Sequence, residues 1–210
     1  MIEGFRLLAD HIPATAQKRL IEEVLGLTAE APFFRPTMPG SGKPMSVQMT
    51  NLGPLGWVSD ISGYRYERLH PETGRPWPSI PQALLELWRN VSGYDADPQA
   101  CLVNFYSPTS RLGLHVDADE TAKDAPVVSV SLGDRALFRL GGQKRSDSTS
   151  SFRLASGDVV VLGGQSRHAF HGIDRIYPGT SRLVPGGGRI NLTLRRVTAP
   201  QERAGTAPDA

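Results

Sequence analysis

His115-Val116-Asp117 sets an imidazole and a carboxylate two residues apart. On a β-strand that spacing sends both side chains out of the same face. One further ligand would complete a facial triad of two histidines and a carboxylate, and His168 and His171, much later in the chain, are the candidates. Such a triad leaves coordination positions open, and on iron(II) those positions accept a cosubstrate and dioxygen. The same ligand types also suit a catalytic zinc, and hence a hydrolase. Taken alone, His-x-Asp is short enough to arise by chance, and a lone histidine is more often hydrogen-bonded structure than a ligand.

A second pattern lies near the end. Arg189, Asn191, Thr193 and Arg195 alternate with Ile190, Leu192 and Leu194, so one face of a strand there is polar and the other apolar. The bland interpretation is an amphipathic strand with its polar side in water. The alternative is a row of donors for a small dianion, since charge-assisted hydrogen bonds contribute about 1.5–3 kcal/mol each. A third row, Leu102, Asn104 and Tyr106, opposes Cys101, Val103 and Phe105. Asparagine is disfavoured in strands and costly when buried without a partner, so Asn104 should face a hydrogen-bonding group, structural or bound.

Short strands must present these rows. The pattern predicts them over 100–106, 112–117, 127–132, 136–140, 151–154, 158–162, 168–173 and 189–197, with shorter extended pieces at 46–50 and 63–68. Helices are expected over Ala14–Leu25 and Ile80–Val91, each with an apolar stripe and a glycine stop. The stretches 31–43 and 70–78 are rich in proline and glycine and predict loops. Residues 174–188, ending Pro-Gly-Gly-Gly, predict a mobile connection, and the segment from Thr198 on, without apolar periodicity, a disordered tail. The fold class is therefore mainly β with flanking helices, a sandwich or jelly roll.

Composition narrows the setting. Twenty-three Lys and Arg against 21 Asp and Glu give a net charge of +2, too weak to argue for nucleic acid by itself. Between Val160 and Arg196, however, every basic residue is arginine, whose planar fork suits carboxylate or phosphate. A solvated face is the simpler account of Arg175 and Arg182. No stretch predicts a membrane span, and the single Cys101 excludes an internal disulfide, so a cytoplasmic location is the default expectation.

Five motifs occur in order: Asn104-Phe105-Tyr106, His115-Val116-Asp117-Ala118-Asp119-Glu120, Val128-Ser129-Val130-Ser131-Leu132-Gly133, His171-Gly172-Ile173 and Arg189-x-Asn191-x-Thr193-x-Arg195. Together they resemble the signature of the AlkB-type iron(II)- and 2-oxoglutarate-dependent dioxygenases. Upstream, Gly56-Trp57, Gly63-Tyr64-x-Tyr66 and Arg75-Pro76-Trp77-Pro78 are similar to that family's nucleotide-recognition region. One departure stands out: Leu162-Gly163-Gly164-Gln165 occupies the place where bacterial members often carry tryptophan and glutamate.

The resemblance implies a double-stranded β-helix (jelly roll) and a single oxygenase domain over 1–197. Within it, about 45–95 would be the nucleotide-recognition region and about 100–197 the catalytic core. It implies Fe(II) on His115, Asp117 and His171, with His168 structural. Asn104, Tyr106, Arg189, Asn191 and Arg195 would hold 2-oxoglutarate. Trp57, Tyr64, Asp119 and Arg145 would meet the substrate, while Trp77 and Trp88 would be structural. The implied reaction uses O2 to oxidise N-methyl groups of bases such as 1-methyladenine and 3-methylcytosine in DNA or RNA, releasing formaldehyde, succinate and CO2. The implied partner is alkylated DNA, single-stranded or with a flipped base, bound by a monomer. Acting on RNA, protein or a small molecule with the same iron chemistry is the alternative, and a non-catalytic jelly-roll binding module is a remote one.

Overall fold

The structure, a computed structural model, describes residues 2–200. The tail expected from Thr198 onward therefore lies, past Pro200, outside the described residues. In chain order the elements are β1 (Phe5–Leu8), α1 (Ala14–Leu27), β2 (Gln48–Leu52), β3 (Gly56–Asp60), β4 (Gly63–Glu67), α2 (Gln82–Val91) and β5 (Ala100–Tyr106). They continue with β6 (Leu112–His115), β7 (Val127–Gly133), β8 (Arg135–Leu140), β9 (Ser150–Leu154), β10 (Val159–Leu162), β11 (His171–Tyr177) and β12 (Arg189–Arg195).

Six strands form a major sheet in the order β1-β10-β7-β12-β5-β2, and four form a minor sheet in the order β6-β11-β8-β9. This is the expected jelly-roll type of sandwich. Strands β3 and β4 make a separate two-stranded ribbon. Cys101 and Val103 of β5, Val128 and Val130 of β7, and Ile190, Leu192 and Leu194 of β12 pack beneath Leu20, Ile21 and Val24 of α1 and Leu84 and Trp88 of α2. A second core lies on the minor-sheet side, where Val127, Val160 and Leu162 meet Phe138, Leu140 and Ile173. Ile190, Leu192 and Leu194 are fully buried, each contributing about 1.5–3 kcal/mol. The apolar face of β12 thus anchors the strand, and its polar face is left for other work.

The helices follow from their sequence. Pro81 precedes the first turn of α2, and its fixed φ of −51° and missing N–H suit only that position. Ile80, expected inside the helix, is left outside it. Two strands carried no usable sequence signal: β1 is four residues long on a sheet edge, and β3 begins at a glycine. Gly56 is needed there because a Cβ would lie 2.4 Å from the Trp77 ring. Trp77 and Trp88 are buried and donate to the carbonyls of Glu67 and Ala96, structural as expected.

The connection at 174–188 departs from expectation. Asp174–Tyr177 belongs to β11, and buried Asp134 holds the remainder. Its carboxylate accepts from the backbone N–H groups of Gly179, Ser181 and Gly188 at 3.2, 2.9 and 3.1 Å. Leu183 and Val184 pack against the main core. A carboxylate anchor more than forty residues upstream has no local signature, which is why composition alone pointed to mobility.

Candidate active site

His115 Nε2 lies 3.6 Å from Asp117 Oδ1, and His171 Nε2 lies 3.7 Å from Asp117 Oδ2. Potential ligand atoms of the three residues all fall within 4.8 Å of one another. Each imidazole uses Nδ1 toward a backbone carbonyl, His115 toward Gly113 at 2.9 Å and His171 toward Ala169 at 3.0 Å. A carbonyl only accepts, so Nδ1 carries the proton and both Nε2 lone pairs point at the shared carboxylate. Burial pushes His171 down to about 4, keeping it in the neutral form a metal requires. Burial would raise Asp117, but Arg195, His171 and His115 outweigh it and hold the carboxyl well below the usual carboxylate range. Asp117 Oδ2 is buried without a hydrogen-bond partner. Two neutral imidazoles and a carboxylate with an unclaimed oxygen fit a divalent cation.

The backbone reaches this arrangement differently from the expected single strand. β6 stops at His115, and Asp117 sits beyond its end in the following loop. The expected strand at 168–173 is instead a short 3-10 turn, Gly164–His168, followed by β11 from His171. His171 pairs directly with His115 across β6 and β11, at 4.5 Å between ring centroids. Gly172 permits this approach, since a Cβ there would lie 2.5 Å from the Leu112 carbonyl oxygen. His168 falls on the 3-10 turn and is absent from the ligand cluster.

The polar row of β12 is buried throughout. Asn191 donates to Ser129 Oγ at 2.7 Å and to the Val130 carbonyl at 2.9 Å, and accepts from Thr193 at 2.8 Å, which fixes its amide. The two arginines differ. Arg195 donates to Asp117 Oδ1 at 2.7 Å and to Glu120 Oε1 at 3.0 Å. Arg189 donates through Nη2 to Ser131 Oγ at 2.9 Å and lies 5.3 Å from the Tyr106 ring centroid. Its Nε and Nη1 are buried without partners, and burial lowers its pKa. A buried guanidinium with no carboxylate beside it is costly unless an anion joins it.

A cavity of about 870 Å³ opens above the three ligands, lined by Asn104, Tyr106, Asn191, Thr193 and Arg195 on one side. Trp57, Tyr64, Asp119 and Arg145 line its other parts, so all four expected substrate residues reach the same space. Arg189 packs against Tyr106, which lines the cavity. Trp57 and Tyr64 are stacked, with centroids 5.4 Å apart and planes at 21°. Trp57 Nε1 donates to Asp119 Oδ2 at 2.7 Å, so Asp119 arrives by a loop rather than by continuation of β6. Arg145 donates to the Leu114 carbonyl at 2.7 Å and lies 5.9 Å from the Phe170 ring centroid, at the cavity's edge.

Two buried residues, Glu120 and Arg167, and the partly buried Tyr66 were given no individual role in the sequence. Glu120 is 1% exposed and bonds both Arg195 and Arg167, the latter at 2.9 Å. Arg167, 2% exposed, also donates to the Asp117 carbonyl at 2.7 Å. Tyr66 donates to Glu120 Oε1. Period-two patterning cannot find Glu120 and Arg167, which lie outside strands, whereas Tyr66 lies on β4 and entered only as part of the Gly63-Tyr64-x-Tyr66 motif.

A facial set of two histidines and a carboxylate, within a jelly roll that also buries arginines, is the arrangement of a non-haem iron oxygenase. The chain belongs to the 2OG-Fe(II) oxygenase superfamily, which matches residues 4–195, and its cofactors are accordingly Fe(II), 2-oxoglutarate and O2. Within that superfamily its similarity is to AlkB. It is 55% identical over 196 residues to the alpha-ketoglutarate-dependent dioxygenase AlkB homolog of Caulobacter vibrioides, covering 93% of this chain and 89% of that one. With Escherichia coli AlkB it is 43% identical over 185 residues, 86% of this chain and 85% of that one. The solved structure of OsALKBH1 superposes with a TM-score of 0.77 at 33% identity, covering 93% and 98% of the two chains. Among the described residues no helix is long and apolar enough to cross a membrane.

Proposed function

We propose that this dioxygenase removes alkyl groups from damaged nucleobases, 1-methyladenine and 3-methylcytosine among them, in DNA and also in RNA. The observation that carries the substrate side is one wall of the cavity. Stacked Trp57 and Tyr64 flank Asp119, so an aromatic face stands beside a carboxylate within reach of the metal ligands. A cationic, non-pairing base is the ligand such a wall suits. Relatives further away carry the names DNA N(6)-methyladenine demethylase and tRNA demethylase, which supports nucleic acid as the substrate class.

In this reading His115, Asp117 and His171 hold Fe(II) through two Nε2 atoms and a carboxylate oxygen. Asn104 and Tyr106 with Arg189, Asn191 and Arg195 receive 2-oxoglutarate. Arg189 supplies the uncompensated positive charge for one carboxylate, while Arg195 keeps Asp117 ionised and oriented. Bound there, iron and cosubstrate supply the oxidising power: O2 converts 2-oxoglutarate to succinate and CO2 and puts one oxygen atom on the N-methyl carbon, which leaves as formaldehyde. Trp57 and Tyr64 present one continuous aromatic surface; at 5.4 Å between centroids they do not admit a base between them. Asp119 has Oδ2 engaged by Trp57, leaving Oδ1 to oppose the lesion's charge. Arg145 at the edge meets the phosphate backbone.

The target is single-stranded or flipped from a duplex, because its reacting group must enter the cavity and a base that cannot pair is the least costly to extrude. The chain acts as one cytoplasmic, monomeric oxygenase unit through residue 197, with 45–95 as its recognition region. A zinc hydrolase or a silent binding module gives Arg189 no anion, and neither is favoured. The test is demethylation of oligonucleotides carrying one 1-methyladenine or 3-methylcytosine, with mass spectrometry following base and succinate together. Methyl loss that requires both 2-oxoglutarate and His115 supports the reading. Succinate without methyl loss discards the substrate.

A further inference from the structure

Asp119 and Glu120, two and three positions after Asp117 in the same loop, are hydrogen-bonded to the β3–β4 ribbon. Trp57 and Tyr66 face each other across that ribbon. Trp57 donates to Asp119, and Tyr66 donates to Glu120. The ribbon pairs with neither main sheet. A two-stranded hairpin is marginal by itself, so its geometry depends on such ties.

Glu120 is more than an anchor. Its Oε1 accepts from Tyr66 and from Arg195 Nη1, and its Oε2 accepts from Arg167 Nη2. Arg195 Nη1 also lies 3.2 Å from the Tyr66 hydroxyl, while its Nη2 holds Asp117. Two buried cations and two buried anions therefore form one closed set reaching from the ribbon to the metal carboxylate. Arg195 Nε remains buried and unpartnered within it. A displacement of Arg195 changes what Glu120 and Tyr66 bind, because one guanidinium bonds Asp117, Glu120 and Tyr66 directly. Networks of this kind are where binding at one place alters another.

We propose that Tyr66 and Glu120 are positioning residues that couple the β3–β4 ribbon to the metal and cosubstrate site. Loading Fe(II) and 2-oxoglutarate orders the ribbon through Arg195 and Glu120. A base held on Trp57 and Tyr64 in turn tightens the cosubstrate, since coupling between two sites is reciprocal. This second half rests on the nucleobase reading given above; the first half does not.

The experiment is amide hydrogen exchange across residues 56–67, without oxygen, with and without Fe(II) and 2-oxoglutarate. Wild-type protein is compared with Tyr66→Phe, which keeps the ring and removes the hydroxyl, and with Glu120→Gln. The expected result is ligand-induced slowing of roughly fivefold or more in wild type, as for a typical coupling of sites, and its loss in Tyr66→Phe at unchanged melting temperature. Equal slowing in both proteins overturns the proposal, as does no slowing in wild type. If Glu120→Gln does not fold, Tyr66→Phe decides alone. A second arm measures 2-oxoglutarate affinity anaerobically with and without an oligonucleotide containing one 3-methylcytosine. Tightening in wild type that vanishes in Tyr66→Phe supports the reciprocal half, and tightening in both overturns it. A wild-type protein that shows ligand-induced slowing but binds no oligonucleotide rejects the nucleobase reading and leaves the relay standing.

Discussion

Arg195 donates through Nη2 to Asp117 Oδ1 at 2.7 Å, linking the last residue of β12 to the carboxylate between the two histidines. That bond ties the arginine row to the ligand cluster directly. Its partner Glu120 takes the other end of the same guanidinium. Replacing Arg195 with methionine would leave the buried Asp117 carboxylate without its cation, and Glu120 with Arg167 alone. The expected destabilisation is about 3–5 kcal/mol in urea denaturation of the metal-free protein.

Arg189 should behave in the opposite way. It is buried with two unpartnered nitrogen atoms and no carboxylate nearby, so Arg189→Met removes a cost when no ligand is bound. Folded stability should stay level or rise, while KM for 2-oxoglutarate rises about 10- to 150-fold, the equivalent of losing about 1.5–3 kcal/mol. Denaturation and steady-state kinetics on one preparation check both halves. A large loss of stability would mean that Arg189 is structural.

Asp119→Asn tests the charge on the substrate wall. The amide keeps a hydrogen-bond acceptor for Trp57 Nε1 but cannot oppose a cation. KM for oligonucleotides with 1-methyladenine or 3-methylcytosine should rise about tenfold, or about 1.4 kcal/mol. A neutral lesion such as 3-methylthymine should change far less. Equal effects on both would remove Asp119 from recognition of charge.

Gly172→Ala places a methyl group 2.5 Å from the Leu112 carbonyl, forcing β6 and β11 apart where His115 faces His171. Metal affinity should fall at least about tenfold. Titration with Mn(II), monitored by electron paramagnetic resonance, reads this without turnover. Unchanged affinity would show that the ligands tolerate the separation.

The metal-free protein should be acid-sensitive above the carboxylate range. His171 is held at about 4 by burial against an ordinary value of 6.5, so between those pH values the unfolded chain binds more protons than the folded one. Stability therefore rises with pH across that window and is lost as pH falls through it, on the order of 3 kcal/mol in all. Asp117, shifted downward as well, adds its loss only below about its ordinary 3.8. Melting temperatures of wild type and His171→Asn from pH 7 to 4 should converge as the pH falls. Parallel curves would contradict the assignment.

Much of this site is legible in the sequence. Alternation alone separated Arg189, Asn191, Thr193 and Arg195 from Ile190, Leu192 and Leu194, because a pleated strand leaves a side chain only two directions. Ordered motifs identified the ligands, and those three residues do converge. Periodicity, however, reports the face a residue occupies and not what stands opposite it. That Arg195 is spoken for while Arg189 lies unpaired depends on Asp117, 78 positions away in sequence, and on strand neighbours that only folding supplies. The selection of His171 over His168 rests in three dimensions on the β6–β11 pairing, and the roles of Glu120, Arg167 and Tyr66 on the hydrogen bonds that join them. Residue types and strand faces are local properties, set by the chain's own chemistry. Partnership and burial are relations between distant segments, and packing alone creates them.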